Sequence, residues 1–142
     1  KLVNHLIQNR KHPKIVIAGD FNDQPSDESI LVYLNAKPVL EDMEPEEIYN
    51  LSFNWVEGNV GTLKYQSQWY VFDQIMVSGS LLNASSGLKI QSEYASIVNL
   101  PFLMEEDSKY GGMKPYRTYT GFKYNGGFSD HLPVLLHLSE AD

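Results

Sequence analysis

Three apolar runs, each with an acid at its edge or inside it, constrain this chain more than any other feature. Lys14-Ile15-Val16-Ile17-Ala18 leads into Gly19-Asp20-Phe21-Asn22. Trp69-Tyr70-Val71-Phe72 and Gln74-Ile75-Met76-Val77 enclose Asp73, and Ser129-Asp130-His131 opens Leu132-Pro133-Val134-Leu135-Leu136. Runs rich in β-branched and aromatic residues, bounded by Gly, Asn, Asp and Ser, are strand signals. The acids stand 53 (20 to 73) and 57 (73 to 130) positions apart, so they are not local neighbours. A sheet that aligns strand ends can still gather them in one cleft. Carboxylates gathered in this way are the pattern of a metal-assisted phosphoesterase.

Asp73 is the most demanding of the three. A carboxylate between Phe72 and Ile75 costs several kcal/mol to bury unless it is paired. The residues alone offer a salt bridge to a cation such as Lys64 or Lys89. Asp20 and Asn22 also carry two readings. Asp and Asn close Asx-turns and tolerate left-handed backbone. At a strand end, the same pair could take a proton from an attacking water and hold a phosphoryl oxygen. Asp130 and His131 sit in a Gly-Gly-x-Ser turn, where a histidine can exchange protons near neutral pH. Arg117, between Tyr116 and Thr118, is either a phosphate clamp or a surface cation. Trp69 is either a substrate platform or core. His5, His12 and His137 show no zinc-type spacing.

The trio Gly19-Asp20-Phe21-Asn22, Phe72-Asp73-Gln74-Ile75 and Ser129-Asp130-His131-Leu132-Pro133-Val134, spread in this order over positions 15 to 137, resembles the endonuclease/exonuclease/phosphatase superfamily, with its deoxyribonuclease I-like fold. The string Tyr116-Arg117-Thr118-Tyr119-Thr120-Gly121, followed by Gly126-Gly127-Phe128-Ser129-Asp130-His131, looks like a bacterial subgroup of hydrolases of that family. The resemblance implies an α/β (α+β) fold. This would be half of a four-layered α/β/β/α sandwich, with a mixed, mostly antiparallel sheet and flanking helices. It implies divalent-metal-dependent hydrolysis of a phosphodiester or phosphomonoester by in-line attack of water. Asp20, Asn22, Asp73 and His131 become the catalytic residues, with Asp73 fixing the tautomer of His131. Asp130 becomes a metal ligand, and Arg117 and Asn22 the substrate-binding residues. Mg²⁺ or Mn²⁺ is the implied ion, because the donors are carboxylates, amides and phosphate oxygens.

A complete fold of that family needs roughly twice this length, near the upper half of the usual domain range. Gly-Asp-Phe-Asn falls past the middle there, but starts at residue 19 here. Residues 1 to 142 are therefore expected to be the C-terminal half of one domain, inactive alone. The family's main metal-binding Glu and its second active-site His would lie in the other half, and Glu41, Glu44 and Glu57 have no motif to replace them. The inner sheet face should then be covered by the rest of this chain, by that N-terminal half or by a second copy. The competing class is a catalytically inactive fragment or a non-catalytic binding or structural module of the same fold.

Net charge is −7 and the pI about 5.0, which argues against strong nonspecific nucleic-acid binding. A bound metal can supply positive charge locally, so a nuclease is not excluded. With no cysteine there is no disulfide or thiolate metal site. No run of about eighteen apolar residues occurs, so no membrane span is expected.

The remaining pattern predicts a helix over residues 2 to 9 with cations in its last turn, and a strand at 15 to 18 buried on both faces. It also predicts a helix capped by Ser26, neighbouring strands at 62 to 65 and 69 to 77, a strand candidate at 88 to 94, and a long loop system from 99 to 127. One strand from Leu132 to Leu138 closes the chain.

Overall fold

The computed structural model describes residues 1–142 except 41, 59, 92, 94 and 142. In chain order it holds α1 (Leu2–Asn9), β1 (Val16–Asp20), β2 (Ala36–Pro38), β3 (Ile48–Asn50), β4 (Leu63–Tyr65), β5 (Gln68–Tyr70), β6 (Asp73–Ser78) and α2 (Gly79–Leu82). Then follow β7 (Gly87–Lys89), β8 (Ala95–Ile97), β9 (Met104–Glu106), β10 (Met113–Pro115), β11 (Tyr119–Thr120), β12 (Lys123–Tyr124), β13 (Val134–Leu136) and β14 (Ser139–Ala141). A single π-helical turn, Ser29–Tyr33, follows the Asp20 loop.

Four strands form the central sheet in the order β1-β6-β3-β2, with β6 antiparallel to β1 and β3, and β2 parallel to β3. The other strands pair two by two: β4 with β5, β7 with β14, β8 with β13, β9 with β10 and β11 with β12. The fold is thus a mixed α+β arrangement built on a mostly antiparallel sheet.

β6 is the spine of the molecule. Its side chains alternate between the two faces of the sheet, as the pleat requires. Ile75 and Val77 pack with Leu51, Leu81, Ile90, Ala95, Val134 and Leu136 on one face. Met76 packs with Ile30, Ala36, Ile48 and the α1 residues Val3 and Ile7 on the other. Fully burying such a side chain contributes roughly 1.5–3 kcal/mol relative to exposure. Residues of this chain therefore cover both faces of the sheet at β6.

β1 differs from its expectation. It is an edge strand, hydrogen-bonded on one side to β6, and Val16 stays 45% exposed. Apolar, β-branched composition reports a strand, and the chain position of its neighbours decides what covers it. Leu135 and Leu138 are similarly exposed. α1 ends at Asn9, so Arg10 and Lys11 lie beyond its last turn. Ser26 is not a cap: Asp27 instead accepts from the Gln24 N–H at 2.7 Å, and the helical turn starts three residues after Ser26. The expected closing strand, Leu132 to Leu138, shortens to β13, which pairs with β8, and a separate strand, β14, follows it and pairs with β7. The 88–94 candidate shrinks to β7, and its Tyr94 lies outside the described residues. The 99–127 region is not bare loop, since it holds β9 to β12.

Candidate active site

The antiparallel register of β1 and β6 sets Asp20 directly opposite Asp73. Directly opposed residues share a face of the sheet, with Cβ atoms about 4.5–5.5 Å apart. Two acids from distant parts of the sequence are thus held side by side at the strand ends. Past β1 the chain stays attached, because the Phe21 N–H donates to the Phe72 carbonyl at 2.8 Å. It then turns: the Asn22 N–H donates to Asp20 Oδ1 at 2.9 Å, and Asn22 takes a left-handed backbone with φ 53°. Both readings of this motif meet here, an Asx-turn that leaves the Asp20 and Asn22 side chains exposed.

His131 reaches the same place from the far end of the chain. Its backbone bridges to Leu63, and the Leu132 N–H donates to the Thr62 carbonyl at 2.7 Å. The imidazole Nδ1 lies 2.6 Å from Asp73 Oδ2. A carboxylate can only accept, so Nδ1–H is the donor. The other ring nitrogen, Nε2, has no hydrogen-bond partner among the described residues. The pair is neither sealed nor free, with 23% of the histidine side chain and 18% of the aspartate side chain exposed. Neither Lys64 nor Lys89 pairs with Asp73; the Lys64 ammonium is held by Asp107 at 3.0 Å.

Asp130 and Arg117 stand at the rim. The guanidinium lies 3.9 Å from Asp130 Oδ2, and the acid is half exposed. Their turn is tightly built. The Ser129 hydroxyl accepts from the His131 N–H at 3.0 Å, and the Phe128 N–H donates to the Tyr116 carbonyl at 2.7 Å. A Cβ at Gly127 would collide with the carbonyl oxygens of Tyr116 and Arg117, so this close approach requires glycine. The Gly-Gly-x-Ser sequence is thereby a device for laying Arg117 against the Asp130-His131 turn.

What holds the acids in place was not legible as a motif. Thr62, fully buried, accepts at Oγ1 from the N–H groups of Phe72 at 3.2 Å and Asp73 at 3.1 Å. Thr62 therefore grips the Asp73 strand with its side chain and the His131 strand with its carbonyl. Gln74, also fully buried, donates to the carbonyls of Asp23 and Val71 and accepts from Asn50 Nδ2 at 2.7 Å. Gln24 Oε1 accepts from the Val71 N–H at 2.7 Å. These amides tie the loop after Asp20 to β6. Buried polar side chains of this kind must find partners, and among the described residues none is left unsatisfied. Gln74 was readable as part of Phe-Asp-Gln-Ile, but Thr62 carried no signal beyond following Gly61.

A sequence model of the Endonuclease/Exonuclease/phosphatase family matches residues 1–140. The chain belongs to that family. Comparison with curated proteins and with solved structures returned no match. Members of the family are in general hydrolases of phosphate esters and usually employ divalent metals, so a hydrolase fold of the phosphoesterase or nuclease type is what the match supports. The donors expected to serve the metal do not close into a set here. Among the described residues, no three Asp, Glu, His or Cys side chains are grouped as metal ligands. Asp130 turns instead toward Arg117. The residues of this chain do not by themselves fit a Mg²⁺ or Mn²⁺ site, and no chemical step is assigned to one.

Proposed function

We propose that this chain provides the proton-handling machinery of a phosphoesterase that cleaves a phosphodiester or phosphomonoester by in-line attack of water. The Asp73–His131 hydrogen bond carries the reading. A carboxylate that fixes Nδ1–H leaves Nε2 as the working nitrogen, the logic by which an acid orients a catalytic histidine in acyl transfer. In this role the ring acts as the imidazolium, with Nδ1–H on Asp73 and Nε2–H donating to a phosphoryl oxygen or passing its proton to the leaving oxygen, where charge develops. Asp20, exposed beside Asp73, accepts a proton from the attacking water. The Asn22 amide and the Arg117 guanidinium hold phosphoryl oxygens, a role that the planar fork of Arg117 suits. Fold alone does not choose among nucleic acid, inositol phosphate and phospholipid substrates.

The test is hydrolysis of bis-(p-nitrophenyl) phosphate by the full-length protein that carries these residues. Activity should appear and should fall on the order of 10²–10⁴-fold in His131→Ala and in Asp20→Ala, the range of a lost general acid or base. Wild-type rates in both variants would overturn the assignment. No hydrolysis by the unmodified protein would favour the non-catalytic module instead.

A further inference from the structure

Beside the His131 turn lies a second feature, of which the chemistry above uses only Arg117. A cavity of about 350 Å³ is lined by Lys64, Lys109, Lys114 and Arg117, together with Tyr65 and Tyr110. Four of the chain's 11 Lys and Arg residues thus converge on one pocket, in a protein of net charge −7. Such a concentration runs against the overall charge and creates a local positive field in a concave site, where fields are focused.

Asp107 is the one carboxylate among the described lining residues, and it is already saturated. Its Oδ2 takes the Lys64 ammonium at 3.0 Å, and its Oδ1 takes the N–H groups of Lys109 at 3.2 Å and Tyr110 at 3.1 Å. Lys64 is itself consumed by that pair and by the Gly111 carbonyl. The other three cations are differently placed. Lys109 Nζ sits 4.8 Å from the centre of the Tyr110 ring and is paired with no carboxylate among the described residues. Lys114 stands 3.6 Å from Glu105, and Arg117 stands 3.9 Å from Asp130. Both distances lie beyond hydrogen-bond reach, and all four side chains are about a third exposed or more. Such surface pairs are weak and exchange readily for a better anion.

The pocket is joined to the candidate site at two points. Arg117 lines it while reaching Asp130, the neighbour of His131. Lys64 follows Leu63, whose backbone bridges to that of His131. We propose that this pocket is an anion subsite, in which Lys109, Lys114 and Arg117 take a second phosphate of a substrate whose first phosphate is presented to His131. The inference rests on the phosphoesterase reading for the position of the first phosphate. It narrows the substrate class to molecules carrying at least two phosphates, with Arg117 shared between them.

The test is direct binding by calorimetry to the full-length protein, using two ligand pairs that differ by one phosphate. These are TpT against pTpT, and inositol 1-phosphate against inositol 1,4-bisphosphate. The added phosphate should tighten binding on the order of tenfold in at least one pair, the size of one or two charge-assisted contacts. That gain should vanish in Lys109→Gln/Lys114→Gln, and the pair that shows it identifies a nucleotide or a polyol source. Lys11→Gln/Lys89→Gln removes the same two charges outside the pocket and should keep the gain. No gain in either pair, a gain retained in the pocket variant, or an equal loss in the control would overturn the proposal. Binding needs no turnover, so a protein that shows the gain but hydrolyses nothing would sink the phosphoesterase reading and leave the subsite standing.

Discussion

Two pairs, each joining an acid to a basic side chain, meet on one short strand of this molecule and are built to opposite ends. Lys64 of β4 pairs with Asp107, and its neighbour Leu63 bridges to the backbone of His131, which pairs with Asp73. The Lys64–Asp107 side chains are 4% and 5% exposed, and every oxygen of the acid has a donor. The His131–Asp73 side chains are 23% and 18% exposed, and the imidazole keeps one nitrogen without a partner among the described residues. The first pair is buried and spends its contacts on the fold. The second spends one contact on orientation and holds the other in reserve. Burial and satisfaction together separate a structural pair from one able to do chemistry, and distance alone would not have done so.

The largest effect expected from this contrast is on Asp73. Asp73→Asn keeps the shape of the side chain but replaces the acceptor that fixes Nδ1–H with a group that can turn its amide toward the ring. The hydrolytic rate should fall on the order of 10²–10⁴-fold. The melting temperature should move little, because the site is part exposed and the amide is isosteric. Rate and melting curve measured on one preparation check this. A large loss of stability with the rate intact would make Asp73–His131 a structural pair like Lys64–Asp107 and would erase the contrast.

The two pairs were unequally legible in the sequence. Asp73 stood out because an acid inside Val71 to Val77 needs a justification, and Ser129-Asp130-His131 supplied the partner type. Strand ends and turn residues were readable for the same reason: they are local chemistry. Lys64–Asp107 was not readable. Its members are 43 residues apart, and Asp107 lies in a stretch that read only as loop. The pair exists because β10, which pairs with β9, folds back against β4, a long-range event. Val16 failed for the converse reason. Its composition is that of a core strand, and nothing local says that β1 would stand at the sheet edge. Thr62 shows the same limit within the site, since a threonine whose hydroxyl binds two backbone N–H groups looks in sequence like any other threonine.

Lys64→Met carries the next effect, and it falls on stability. Removing the ammonium leaves Asp107 buried without its cation, which is strongly destabilising compared with loss of an exposed pair. The melting temperature at neutral pH should drop by several degrees. The pH dependence follows from the carboxyl itself. Burial pushes the Asp107 carboxyl up, but the Lys64 ammonium and the N–H groups of Tyr110 and Lys109 more than reverse this, so it titrates below its ordinary value. A lowered folded-state value means that the stabilisation is complete above the unfolded value of about 3.9 and is lost as pH falls through the lower folded one. Wild-type protein should therefore lose this contribution only at pH below about 4, and the deficit of Lys64→Met, large at neutral pH, should narrow there because the variant has no such contribution to lose. Melting temperatures across an acid series, with coincident wild-type and variant curves as the refuting result, test the assignment.

Thr62 gives the smallest and most discriminating effect, because it serves both the fold and the chemistry. Thr62→Val is nearly isosteric and removes the acceptor used by the N–H groups of Phe72 and Asp73. Leaving buried donors unsatisfied costs about 1–3 kcal/mol of stability. The same change frees the backbone that presents the Asp73 carboxylate, so the hydrogen bond to His131 should lengthen. Thr62→Ser restores the hydroxyl while losing the methyl, and should recover most of the rate but only part of the stability. A positioning role therefore predicts that rate and stability separate between the two variants: Val loses both, Ser mainly the second. If the rate follows stability equally in both, Thr62 supports the sheet alone. The orientation of Asp73 would then have to come from Phe21, whose N–H holds the Phe72 carbonyl from the β1 side.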